Sequence, residues 1–104
     1  MNIYVVTITD YEDDYKHRYD NGVYERKPKL FKLKKDARKY VIKEIIEKLD
    51  EKISCYDDDD DKKPTYDKNK LNDWEYVEEL HKKYLKGSFV DYIMDYDINK
   101  EKVN

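Results

Sequence analysis

Residues 30–53 read LFKLKKDARKYVIKEIIEKLDEKI. Apolar side chains fall at Ala37, Tyr40, Val41, Ile45, Leu49 and Ile53, and Ile42 and Ile46 widen the stripe. This is the 3.6-residue period of a helix with one buried face. It predicts a helix from about Lys34 to about Ile53, entered from the end of a strand at Leu30–Leu33. One helix cannot bury such a stripe alone, so the rest of the chain must supply a covering layer.

Working outward toward the N-terminus, Asn2–Asp10 (NIYVVTITD) is β-branched and aromatic, the composition of a pleated strand. Tyr4, Val6 and Ile8 share one face and Ile3, Val5 and Thr7 the other. Both faces are apolar at the start, which places this strand centrally. Asn21-Gly22 is a strong hairpin signal, because a type I′ turn needs two residues at positive φ. A turn centred there pairs Tyr19 with Tyr24 and Arg18 with Glu25. It implies that the first strand continues into a hairpin arm, with a bulge near Asp13-Asp14. The return strand begins at Val23, is interrupted by Pro28, which cannot donate to a ladder, and resumes at Leu30.

Toward the C-terminus, SCYDDDDDKKPTYDKNK contains five consecutive aspartates, Asp57–Asp61, and reads as a flexible acidic loop over about 56–70. A second helix is expected near Asn72. Asn72 is its N-cap, Glu75 closes a capping box, Leu71 staples against Tyr76 and Gly87 sits at C′. Trp74, Val77, Leu80, His81, Tyr84 and Leu85 form its apolar face. In Ser88–Ile98, Val90, Tyr92, Met94 and Tyr96 alternate with Phe89, Asp91, Ile93 and Asp95, which favours a strand. Ser88 with Asp91 would equally cap a third helix. Residues 99–104 read as a polar, frayed tail. The expected fold is a single α+β domain over residues 1–98: a small antiparallel sheet in the order β-β-α-α-β with two helices packed on one face.

Composition sets the bounds on this reading. In 104 residues, 45% are charged and only 38% hydrophobic, a balance that alone would suit a disordered chain. The 12 tyrosines and the strong periodicity argue for a small core in which tyrosine rings supply bulk and keep their hydroxyls at a wet edge. One cysteine, Cys55, allows no intrachain disulfide, and no apolar run approaches membrane-spanning length. The expectation is a protein of a reducing compartment, cytoplasmic, with no membrane partner.

The stretches IYVVTITDYEDD and LFKLKKDARKYVIKEI resemble a pattern in small accessory proteins of bacteriophages and large DNA viruses. There a YVV strand precedes an F-x5-A-x2-Y strand–helix junction, here Phe31, Ala37 and Tyr40. Such proteins often carry Ser or Thr at the helix N-cap, where this chain has Leu33. The resemblance implies a viral or phage accessory role, in the host cytoplasm or the virion, and no particular activity.

Two surfaces suggest binding. Tyr11, Tyr15, Tyr19 and Tyr24 cluster in the expected hairpin, and tyrosine is enriched at interface hot spots. Contact with a protein partner, a host factor or a virion component, is the leading expectation. The alternative is an anion or nucleic-acid site made by Lys32, Lys34, Lys35, Arg38 and Lys39, opposed locally only by Asp36. Cations at a helix N-terminus are disfavoured by about 0.3–1 kcal/mol each, so their concentration there suggests a use. The bland readings are solvation, or neutralisation by Asp57–Asp61 of the same chain or of a second copy in a homo-oligomer. The aspartate run lacks the spaced ligands and glycine of a calcium loop. Asp91 and Asp95 share a strand face, where they could bind Mg²⁺, but edge solubility suits them better. His17, His81 and Cys55 do not make a zinc pattern. With 2 glycines there is no phosphate-cradling loop, so no metal, no cofactor and no enzymatic activity are expected.

Overall fold

The structure is a computed structural model that describes residues 1–12, 22–86 and 92–103, with the backbone alone for residues 11–12, 22–24 and 92–93. Its elements are β1 (Asn2–Glu12), β2 (Gly22–Glu25), β3 (Lys29–Phe31), α1 (Lys34–Ser54), a 3₁₀ turn (Lys68–Lys70), α2 (Trp74–Tyr84) and β4 (Tyr92–Lys102). The α+β class, the antiparallel sheet and the two helices match the sequence reading. The expected return strand is divided into β2 and β3.

β1 is the central strand. All eleven of its residues pair antiparallel with β4, from Asn2 opposite Lys102 to Glu12 opposite Tyr92. Its other edge is shared by β2 and β3, where Thr9 faces Glu25 and Val6 faces Lys29. Three residues, Arg26, Lys27 and Pro28, therefore stand opposite two, Thr7 and Ile8. That is a β-bulge, and it sits where the proline withholds a donor. Arg26 N–H still reaches the Ile8 carbonyl at 3.0 Å.

The period-2 pattern of β1 points Val6 and Ile8 inward, each 1% exposed, while Ile3, Val5 and Thr7 are only half-buried on the opposite face. Val6, Ile8 and Met94 pack with Ala37, Val41 and Ile45 of α1 and with Val77 and Leu85 of the α2 region in one core. Both helices lie on this face of the sheet. Each fully buried Ile, Leu or Val contributes roughly 1.5–3 kcal/mol by transfer from water. The periodic positions Ala37, Val41, Ile45 and Leu49 are all fully buried, so the stripe read from the sequence is the stripe that packs.

Several expectations are corrected. Tyr24 pairs with Asp10 and Glu25 with Thr9, not with Tyr19 and Arg18. A two-residue Asn21-Gly22 turn is thus excluded by register, because the long-range fit of Val6 and Ile8 to the core fixes which rungs meet. Asp13, Asp14 and Asn21 lie outside the described residues. The N-cap of α2 is Asp73, one residue later than Asn72, and its carboxylate accepts from the Glu75 and Tyr76 N–H groups. The helix closes on Leu85, ahead of Gly87, which lies outside the described residues.

Residues 99–102 are not a frayed tail. They complete β4 against Asn2–Val5, and Val103 N–H continues to the Met1 carbonyl at 2.9 Å. The connection over 56–70 is not free throughout either. Pro64 is fully buried, the Tyr66 hydroxyl donates to Asp50 at 2.7 Å, and Asp67 caps the 3₁₀ turn through Asn69 N–H. That bond and burial push the Tyr66 hydroxyl up to about 12, burial being the larger cause.

Candidate basic-aromatic cleft

α1 begins at Lys34 with no side-chain cap, because Leu33 in the N-cap position has no acceptor to offer. Its first two turns present Lys34, Lys35, Arg38 and Lys39. Across from them α2 begins at Trp74, and Trp74 and Glu78, four residues apart, share one face of that helix. The sheet closes the space with Tyr4 of β1 and with Tyr96, Asp97, Ile98 and Lys100 of β4.

Two adjoining cavities result. The first, of about 380 Å³, lies between Tyr4, Tyr96 and Trp74, with Lys34, Arg38, Glu78 and Lys100 at its walls. The second, of about 410 Å³, lies between Lys35, Lys39, Ile42 and Asn72. Lys34, Arg38 and Trp74 line both. The Arg38 guanidinium lies over the Trp74 ring at 5.1 Å, so this stacked pair is the ridge between the cavities. Trp74 meets Tyr96 edge to face at 5.7 Å, and Tyr96 meets His81 at 4.9 Å.

The polar groups here are incompletely matched. Arg38 Nε is buried with no hydrogen-bond partner among the described residues. The half-buried Glu78 carboxylate likewise has no ion pair or hydrogen bond among the described residues. Its negative charge, after burial, holds the Tyr96 hydroxyl up at about 12, and Arg38 opposes it. Behind the aromatic wall, His81 is buried and its Nε2 bonds the Met94 carbonyl. Burial lowers its pKa below the usual imidazole value, more than the Met94 bond raises it.

Of the five basic residues read from the sequence, Lys34, Lys35, Arg38 and Lys39 converge on this cleft, while Lys32 is exposed and lines neither cavity. Lys29 lies instead over Tyr40, 4.6 Å from the ring centre. Neutralisation by the acidic run of the same chain is excluded by position. Asp57–Asp61 follow the C-terminus of α1, whose rise carries Ser54 roughly 20–30 Å from Lys39 and Lys34. Asp58 pairs with Lys63 of its own loop at 3.0 Å. Sequence reasoning put Trp74 on the apolar face of α2, which does pack against the core, and gave Tyr4, Glu78 and Lys100 no binding role. The i, i+4 spacing of Trp74 and Glu78 was the signal available for Glu78.

Of the hairpin tyrosines, Tyr15 and Tyr19 lie outside the described residues. Tyr11 pairs with Val23 and Tyr24 with Asp10, on adjoining rungs. Among the described residues no group of three or more His, Cys, Asp or Glu is placed to hold a metal ion, and no helix is long and apolar enough to cross a membrane. Cys55 is exposed. No protein-family model, curated protein or solved structure matches this chain.

Proposed function

We propose that the protein is a non-enzymatic binding protein that takes single-stranded nucleic acid along the cleft. The observation that carries this reading is the pair of cavities joined by the Arg38–Trp74 stack. An aromatic-walled cavity suits a base, because every base has a π-face to stack. The neighbouring cavity, bordered by Lys35 and Lys39, suits the phosphate backbone. A net charge of −3 places this attraction in the local patch and not in the whole molecule. The resemblance of the opening strand and junction supports a viral or phage accessory role, in the host cytoplasm or the virion, as part of the same reading.

Fluorescence anisotropy with labelled single-stranded DNA and RNA at low and moderate salt tests the reading. Binding that weakens steeply with salt supports it. No binding at low salt removes it. A second reading is protein contact through Tyr11, Tyr15, Tyr19 and Tyr24, supported by the number of tyrosines the sequence gathers in this stretch. Pulldown from a lysate with wild type and with Tyr15→Ala/Tyr19→Ala tests it, and an unchanged partner set counts against it.

A further inference from the structure

Resting on the strand-binding reading, we infer that the first cavity selects guanine, with Glu78 as the residue that reads the base. The cavity offers a flat aromatic wall, a guanidinium and a carboxylate. Arg38 and Glu78 both line it, yet they do not form an ion pair with each other. Among the described residues the Arg38 Nε–H has no acceptor, and the half-buried Glu78 carboxylate has no donor. The Glu78 carboxylate therefore asks for a planar ligand that supplies two donors from one edge, and the Arg38 guanidinium lining the same cavity suits an acceptor beside them.

Among nucleobases that edge belongs to guanine. Its O6 accepts, and its N1–H and N2–H groups stand side by side as donors to the two oxygens of one carboxylate. Adenine and cytosine each offer one amino donor next to a ring-nitrogen acceptor, which repels a carboxylate. Uracil and thymine offer one N–H flanked by two carbonyl acceptors. A ring stacked beside Trp74 meets Glu78 because the two side chains lie one helical turn apart on α2. Glu78 also stands close enough to Tyr96, the ring that adjoins Trp74 edge to face, to raise its pKa. Lys34 and Lys100, at the rim, are left for the phosphates on either side of the base.

The test uses the full chain and the emission of its one tryptophan, Trp74, which lines the cavity. Guanosine, adenosine, cytidine and uridine monophosphates are titrated, together with labelled oligothymidine strands carrying a single guanine or a single adenine. The expected result is quenching of Trp74 with about tenfold tighter binding of guanine over adenine, the discrimination of one good bidentate contact. In Glu78→Gln the guanine-to-adenine ratio falls to near one. Preference seen with the free nucleotide or only within a strand supports the assignment in either case and names the source. Equal affinity for all four bases, with salt-sensitive strand binding retained, overturns the guanine assignment and leaves the strand reading standing. A guanine preference that survives Glu78→Gln overturns the role of Glu78. Absence of any binding at low salt removes both readings.

Discussion

Arg26 Nε donates to Asp10 Oδ2 at 2.7 Å, tying the β-bulge to the central strand. The same guanidinium reaches Glu44 of α1, and Lys48 of α1 stands 3.6 Å from Asp10. Sheet and helix are thus joined at the bulge by four charges. The two carboxylates are only 14% exposed, and the hydrogen bond that Arg26 donates to Asp10 is the largest cause that raises the Arg26 pKa above its usual range. Arg26→Met should leave Glu44 without this partner and destabilise the fold by about 2 kcal/mol. That is less than a fully buried pair loses, because about a third of the arginine side chain meets water. Urea unfolding checks it: the midpoint should fall while the slope is unchanged.

This network shows where the sequence is legible and where it is not. The buried stripe of α1 is written locally, at the helical period, so Ala37, Val41, Ile45 and Leu49 could be read directly. Pro28 likewise announced an interruption, though not that Arg26 beside it would bridge two elements. Lys52 breaks the pattern: it is buried on α1, yet its ammonium donates to the Tyr84 carbonyl at 2.6 Å, closing the end of α2. Such pairs join residues far apart in sequence and leave no periodic trace. The cleft was half legible for the same reason. Its lysines form a run, whereas Trp74, Tyr96 and Tyr4 come from three separate elements. Asn21-Gly22 misled because a local turn preference of this kind yields to the register that buries Val6 and Ile8.

The polar end of β4 should matter to stability. Asn99, Lys100, Glu101 and Lys102 pair with the start of β1 although Ile98 is the last apolar residue before them on the strand. A chain ending at Ile98 should lose roughly 2 kcal/mol, a few net backbone hydrogen bonds. A frayed tail would be removed with a change within about 0.5 kcal/mol. Thermal unfolding of the truncated chain, at matched concentration, separates the two outcomes.

His81 makes stability fall in mild acid. Its Nε2–H donates to the Met94 carbonyl, which favours the charged ring, but burial outweighs that bond and holds the pKa below the unfolded value of about 6.5. Asp95 and Glu78 oppose the shift and Lys86 adds to it. A lowered native pKa means that the contribution is complete above pH about 6.5. It is lost progressively as the pH falls toward the native pKa, because the unfolded chain binds the proton first. Urea midpoints measured through this window should decline in the wild type. His81→Gln should be less stable at neutral pH but show a flatter decline, since its side chain has no proton to gain.

Lys35 and Lys39 border the second cavity with Ile42 and Asn72, and neither has an ion-pair partner among the described residues. If each neutralises one phosphate of a bound single strand, each releases about 0.7 of a counterion. Lys35→Gln/Lys39→Gln should then weaken oligonucleotide binding at low salt and reduce the slope of log K against log salt by roughly 1.4. The loss should be similar for strands of different sequence, since phosphate contacts position a strand without reading it. Unfolding midpoints should stay within about 0.5 kcal/mol of wild type, because both lysines are exposed. An unchanged salt slope in a folded double variant would place the strand elsewhere on the protein. A reduced slope with the guanine preference intact would divide the cleft into a backbone half beside α1 and a reading half beside Glu78.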